Sequence, residues 1–325
     1  MSRGERNASL SGSGHMSPGK KPNAGHSVFQ RLLNYAKEHR EDFNLLLLRY
    51  GIERLLYRLS ISPHGDKFIL KGASLFLVWL GKNYRVTRDA DLLCFGPENA
   101  EQIAEIFKEL CQIVTDGADG IVFVANSVRA APIREEQEYG GIRVTMLGML
   151  HKARIPLQID IGFGDAITPA PEKITFPTLL NAAGPKLLAY PRETMVAEKL
   201  QALVVLGIAN SRMKDFYDLY VLARDFAFDG ATLTAAIKAT FKKRKTEIPH
   251  ETPLALREDF GRDNMKSVQW KAFVRKAGLQ KDMPELQKVL LDLRKFLILP
   301  LKGASEQDQI LKSWNAGGPW VHAES

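Results

Sequence analysis

The amino-acid sequence predicts an α+β (mixed α/β) protein, in which a mixed sheet flanked by helices precedes an α-helical bundle. Three observations lead there. Short alternating apolar runs interleave with helical periodicities over residues 26–168. Four prolines, at 169, 171, 177 and 185, then break the pattern, and helical spacing dominates from residue 186 almost to the end. A chain of 325 residues ordinarily holds two domains. The expected divisions are a disordered tail at 1–25, a first domain at 26–168 and a helical domain at 186–325.

Residues 1–25 are rich in Ser, Gly, Asn and Lys, with too few apolar side chains to drive burial. GSGHM at 12–16 reads as a cloning remnant, and the segment lacks the continuous apolar stretch of a secretory signal. Order is expected from Ser27, where Ser27 and Gln30 form a capping box that opens a helix through about Arg40. A second helix, 42–60, places Phe43, Leu46, Leu47, Tyr50, Leu55 and Leu59 at helical spacings. A short strand (67–70), a KGAS turn (71–74), a helix (74–82) and a strand carrying RDADLL (88–93) follow. After a helix at 98–113 come strands at 120–129, 141–149 and 155–163, the last two flanking a basic HKAR turn as a hairpin. The second domain reads as helices at 192–208, 212–225, 230–243, 266–277 and 283–298.

Composition narrows the function. Apolar residues make up 45% and charged residues 25%, the balance of a chain that buries its own core. Two cysteines, Cys94 and Cys111, are too few for a disulfide framework and lack metal-ligand spacing, which suits a reducing cytoplasm. No run of 18 apolar residues exists, so no membrane span is expected. Net charge is +8. Residues 231–300 hold 15 basic and eight acidic side chains, an excess that favours phosphate-bearing partners or simply solubility.

Three features of the first domain carry chemistry. Gly72 in KGAS permits a tight turn and close approach of a phosphate to backbone N–H, and Ser74 offers a hydroxyl to the same phosphate or serves as an N-cap. In RDAD, strand alternation puts Asp89 and Asp91 on one face while Ala90 and Leu92 point to the core. Two such carboxylates make an oxygen pair for magnesium (Mg2+) bound to a nucleoside triphosphate (NTP), or else a solvated strand edge. Third, Ile155, Leu157, Ile159 and Ile161 alternate, which sets Gln158 and Asp160 on the opposite face; Asp160 is the candidate third metal ligand or general base. Asp165, past two glycines, is read as a turn residue.

The order of glycine turn, helix, D-x-D strand and later aspartate strand resembles the polymerase-β-type nucleotidyltransferase superfamily. FILKGASLFL followed by YRVTRDADLL resembles, more closely, the AbiEii/AbiGii-like toxins, with their KGGT-like turn and R-x-[ST]-x-D-[IL]-D strand. YPRETMVAEKLQAL at 190–203 and RMKDFYDLYVL at 212–222 are similar to that family's helical motifs. The resemblance implies a nucleotidyltransferase fold over roughly residues 27–300. It places Lys71, Gly72, Ser74, Arg85 and Thr87 at the nucleotide. It also implies that Lys199 contacts the phosphates, that Asp215 orients Lys199 or the site, and that Arg212 and Lys214 assist by charge. Ala73 replaces the family's second glycine and Ala90 its usual Ile. From the residues alone, Lys214 and Asp218 read equally as a surface i, i+4 pair, and Phe216, Tyr217, Leu219 and Tyr220 as core.

The activity expected is transfer of a nucleoside monophosphate from an NTP to an acceptor. The resemblance implies RNA, the tRNA 3′ end first, with translational arrest as the outcome and an antitoxin as possible partner. KKRK at 242–245 fits an RNA-backbone groove or a cationic cap on a helix dipole. Two other readings stay open: an aminoglycoside-type small-molecule nucleotidyltransferase, and a catalytically silent nucleotide- or RNA-binding protein.

Overall fold

A computed structural model describes residues 24–81, 85, 87–115, 119–133, 140–279 and 283–322. The tail expected at 1–25 lies almost wholly outside the described residues. A seven-stranded mixed sheet is built from β1 (Phe68–Lys71), β2 (Ala90–Cys94), β3 (Ile121–Pro132), β4 (Gly141–Leu150), β5 (Ala153–Phe163), β6 (Glu172–Thr175) and β7 (Lys186–Ala189), in the order β3-β4-β5-β2-β1-β7-β6. β2 runs parallel to β5 and β1 parallel to β7; the other pairs are antiparallel. The β4–β5 hairpin turns at His151 and Lys152, within HKAR.

One face of the sheet is covered by α1 (Ala24–His39), α2 (Phe43–Ile61) and α4 (Ala100–Gln112), with the short α3 (Leu75–Leu80) following the β1 turn. The covering face is apolar by alternation: Ile142, Val144 and Met146 of β4 and Ile155, Leu157, Ile159 and Ile161 of β5 are all buried. The other helices are α5 (Arg192–Leu206), α6 (Met213–Asp225), α7 (Gly230–Lys243), α8 (Glu258–Arg262), α9 (Asn264–Lys276) and α10 (Leu286–Glu306). No helix among the described residues is long and apolar enough to cross a membrane.

The structure corrects four readings. Ser27 does not cap α1; the helix already runs from Ala24, and Gly25, upstream of the expected cap, is buried where the backbone of Gly120 passes close to it. The proline-rich stretch is not a plain linker, since β6 and β7 add two strands to the sheet after residue 168. It is pinned by polar groups of α2 that no periodicity shows: Glu53 accepts from the Leu179 N–H at 2.8 Å and Arg54 donates to the Ala183 carbonyl at 2.7 Å. The last helix does not stop before Pro300 but continues to Glu306, because Leu297, Leu301 and Ala304 stay buried on the same side and packing outweighs the one lost backbone bond. Finally, the second half is not purely helical. A three-stranded sheet of β8 (Phe228–Asp229), β9 (Lys312–Trp314) and β10 (Trp320–His322) folds the C-terminal segment back, and Trp314 donates to the Ala223 carbonyl at 2.7 Å.

α2 also grips the start of β3. Arg58 forms a two-pronged ion pair with Asp119, both side chains nearly buried, and donates to the Ile121 carbonyl. Arg58→Ala should therefore leave a buried charge unpaired and cost about 3–5 kcal/mol in a denaturant titration. Arg262→Ala, which breaks the exposed Glu258 pair, should cost less than about 1 kcal/mol in the same measurement.

Candidate nucleotidyltransferase site

The register of four strands aligns charges across the sheet face opposite α1, α2 and α4. Lys71 of β1 stands beside Asp91 of β2, Asp91 beside Asp160 of β5, and Asp160 beside Arg143 of β4. Asp89 lies one residue ahead of the start of β2 rather than within it. Its carboxylate still joins the others: one oxygen each from Asp89, Asp91 and Asp160 lies within 4.8 Å of the rest. Thr87 fixes one member, its hydroxyl donating to Asp89 Oδ1 at 2.8 Å.

Three carboxylates this close repel one another. Burial, and next the charge of Asp89, push the Asp91 carboxyl up to about 6, while Lys71 and Lys214 pull the other way. That residual strain fits a hard divalent cation, and an all-oxygen donor set is what magnesium takes alongside phosphate oxygens. Asp160 is less bare than the sequence implied, because Arg143 grips both its oxygens, at 2.8 and 2.7 Å. Gln158 adds an amide contact at 3.3 Å.

Gly72 sits against this cluster with φ +73, and a methyl group there would collide with the Asp91 carboxylate. The room on the Cβ side of Gly72 is thus occupied by the Asp91 side chain. Ser74 is buried at the head of α3, and its side chain makes no capping hydrogen bond.

Two ionic networks flank the acidic row. In the first, Lys199 of α5 is held by Asp215 and Asp218 of α6, each at 2.8 Å. Arg85 forks onto Asp218 at 2.7 and 2.9 Å, and Arg212 reaches Asp215 at 2.7 Å. Burial alone would raise the Asp218 carboxyl, but Lys199 and Arg85 override it and hold it down at about 2. Asp218 is wholly buried, so the surface pair with Lys214 does not form; tertiary burial between two cations decides its place. Arg85 also feels Asp91, which links this network to the row.

In the second network Lys71 binds Asp165 at 2.7 Å and Glu198 at 3.3 Å, and Arg244 binds the same two carboxylates at 3.1 and 3.2 Å. The Tyr190 hydroxyl completes it, 3.2 Å from Glu198. Asp165 is consequently not a simple turn residue, and Arg244, though inside KKRK, points inward. Sequence reasoning missed Glu198, Tyr190, Arg244, Asp218 and Arg143. The adjacent Glu198-Lys199 pair on an apolar helix was a usable signal; the inward turn of Arg244 was not.

The sequence profile described as nucleotidyl transferase AbiEii toxin, type IV TA system, matches residues 54–291. The chain belongs to the AbiEii nucleotidyltransferase toxin family. It is therefore a nucleotidyltransferase, of the toxin kind found in type IV toxin–antitoxin systems, and the family implies a nucleotide substrate and a cognate antitoxin. No curated protein matches the chain. Among solved structures it is similar to JHP933 from Helicobacter pylori, at 17% identity and a TM-score of 0.45, over 86% of this chain and 95% of that one. A second H. pylori protein, described as a candidate nucleotidyltransferase, gives 16% identity and a TM-score of 0.43 over 86% and 99% of the two chains.

In this AbiEii-family chain the left-handed turn and the carboxylate behind it are one unit. Gly72→Ala should displace Asp91, weakening divalent-ion binding in calorimetry at least tenfold and lowering nucleotide transfer to match; native-like affinity in this variant would refute the coupling.

Proposed function

We propose that the protein transfers a nucleoside monophosphate from an NTP to the 3′ end of tRNA in the cytoplasm, as the translation-arresting toxin of its system. The observation that carries this reading is the convergence of Asp89, Asp91 and Asp160 beside a glycine turn, with Lys199 held by Asp215 and Asp218 in the network that Arg85 joins to the row. Asp89, Asp91 and Asp160 would hold magnesium, which supplies charge neutralisation for the triphosphate oxygens.

The reaction is an in-line displacement. The acceptor hydroxyl oxygen forms a bond to the α-phosphorus, the bond from that phosphorus to the bridging oxygen of the β-phosphate breaks, and pyrophosphate leaves. The hydroxyl proton passes to Asp160 where that residue acts as base, or to solvent where it acts as ligand. Ser74 and the Gly72 backbone anchor the outer phosphates, with Lys71 behind the turn. Lys199 neutralises charge on the phosphates, Asp215 orients it, and Arg212 and Lys214 add positive field. Arg85 and Thr87 position the segment that bears Asp89. Such chemistry depends on positioning and charge, so few side chains suffice.

Support for an RNA acceptor comes from charge. Lys242, Lys243 and Lys245 are exposed at the end of α7, and Lys243 Nζ lies close to Gly164, just past the end of β5. A polyanion reaching the acidic row would meet these cations first.

Two outcomes test the reading. Asp89→Asn and Asp91→Asn should each abolish labelled-nucleotide incorporation into bulk tRNA while thermal melting stays cooperative; incorporation near the wild-type rate by either would sink the assignment. Binding of tRNA should weaken steeply with salt, and reversing Lys242, Lys243 and Lys245 to Glu should flatten that dependence. Affinity indifferent to both changes would remove tRNA from the proposal.

A further inference from the structure

The sheet face that carries the acidic row continues beyond it across β5, β4 and β3, on the side opposite α1, α2 and α4. Register fixes its members: Thr145 stands beside Gln158 and Arg129, Leu147 beside Pro156 and Val124, and Met149 beside Arg154. Thr145, Arg129, Pro156 and Arg154 are exposed, whereas their neighbours along each strand face the buried side. Over the six residue steps from Asp160 to Arg154 this floor extends about 20 Å.

Its chemistry is one-sided. Arg143 rises from it, Arg129 stands on β3 with Nη1 donating to the Asn126 and Val128 carbonyls, Arg154 and Lys152 stand at the hairpin tip, and Asp160 is the sole carboxylate among the described residues of this face that β3, β4 and β5 contribute. Leu147, Val124 and Pro156 lie between the cations as a flat apolar strip. No aromatic side chain stands among these described residues, so recognition by this stretch rests on its charges. Spaced guanidinium groups match the phosphates of a nucleic-acid strand, and their planes can also stack on its bases. Three strands are also narrow, with a breadth of roughly 10 Å, which favours a single strand over a duplex.

We propose that this face is the track of the acceptor: a single-stranded RNA lies across β3–β5 with its 3′ end at the acidic row. The inference rests on the reading of that row as the site of transfer. Arg143 stands at the junction, since Nε and Nη2 fork onto Asp160 while Nη1 takes no part in the fork, and its side chain is 40% exposed. It is the positioning residue for the last phosphate before the reacting hydroxyl.

The test uses the full chain and a short fluorescently labelled single-stranded RNA of mixed sequence, followed by anisotropy over a salt series. The variant Arg129→Glu/Arg154→Glu touches neither the acidic row nor the Lys199 pocket. Its affinity for the RNA should fall by about tenfold or more, and its salt slope by about two, one per arginine. NTP binding by calorimetry should not change, and the milder Arg129→Gln/Arg154→Gln should fall between. Equal affinities for wild type and the Glu variant overturn the track, as does a wild-type chain that binds duplex RNA better or fails to bind the single strand. The two readings fail separately. Transfer surviving Asp89→Asn removes the catalytic assignment. Transfer lost in Asp89→Asn, but with an unchanged acceptor KM in the Glu variant, removes only the track.

Discussion

Repulsion among three carboxylates held within 4.8 Å of one another is the constraint around which the rest of this molecule is arranged. Such a cluster is costly where water is scarce, and the protein relieves the cost only in part. Arg143 takes Asp160, Thr87 takes one oxygen of Asp89, and Asp91 is left with its carboxyl pushed upward. The unrelieved portion is what a divalent ion and a triphosphate would satisfy together. The site is thus made by a deficit of positive charge at one point in a chain with an excess of it elsewhere.

The networks on either side show how that deficit is kept local. Lys71 and Lys199 are each shared between two carboxylates; Arg244 binds both acids of Lys71, whereas Arg85 and Arg212 each bind one acid of Lys199. These groups are nearly enclosed, so removing any one would leave a charge without its partner. They also carry the covalently distant parts of the chain: Lys71 and Arg85 belong to the sheet half, Glu198, Asp215, Asp218 and Arg244 to the helices that follow. Ionic pairing here ties α5, α6 and the end of α7 to β1 and to Arg85. Hydrophobic packing is tolerant of small shifts, whereas a forked ion pair is not, so the geometry beside the acidic row is set by the second kind of contact.

How much of this was legible depended on which force was acting. Alternation on residues 155–161 and helical spacing on 43–59 report burial of side chains against a neighbouring layer, and both appear as the observed β5 and α2. The pinning of residues 176–185 did not show, because it depends on Glu53 and Arg54, two charges within an apolar helix whose partners are backbone groups more than 120 positions away. The helix start upstream of Ser27 did not show either: Gly25 is buried close to the Gly120 backbone, a contact with no local signature.

By itself the sequence determined the chemistry on offer: a D-x-D pair, a later aspartate on an alternating strand, a glycine turn and paired Lys and Asp on two helices. Those features are local, set by side-chain identity and backbone period. Only the tertiary structure decided which groups meet. Strand order placed Asp160 beside Asp91 and Arg143 beside Asp160, burial drew Asp218 from a nominal surface pair to Lys199 and Arg85, and the end of α7 turned Arg244 inward while leaving Lys242 and Lys243 in solvent. Electrostatic pairing acts through space at a few ångströms, and no linear pattern records which distant residues will come within that reach.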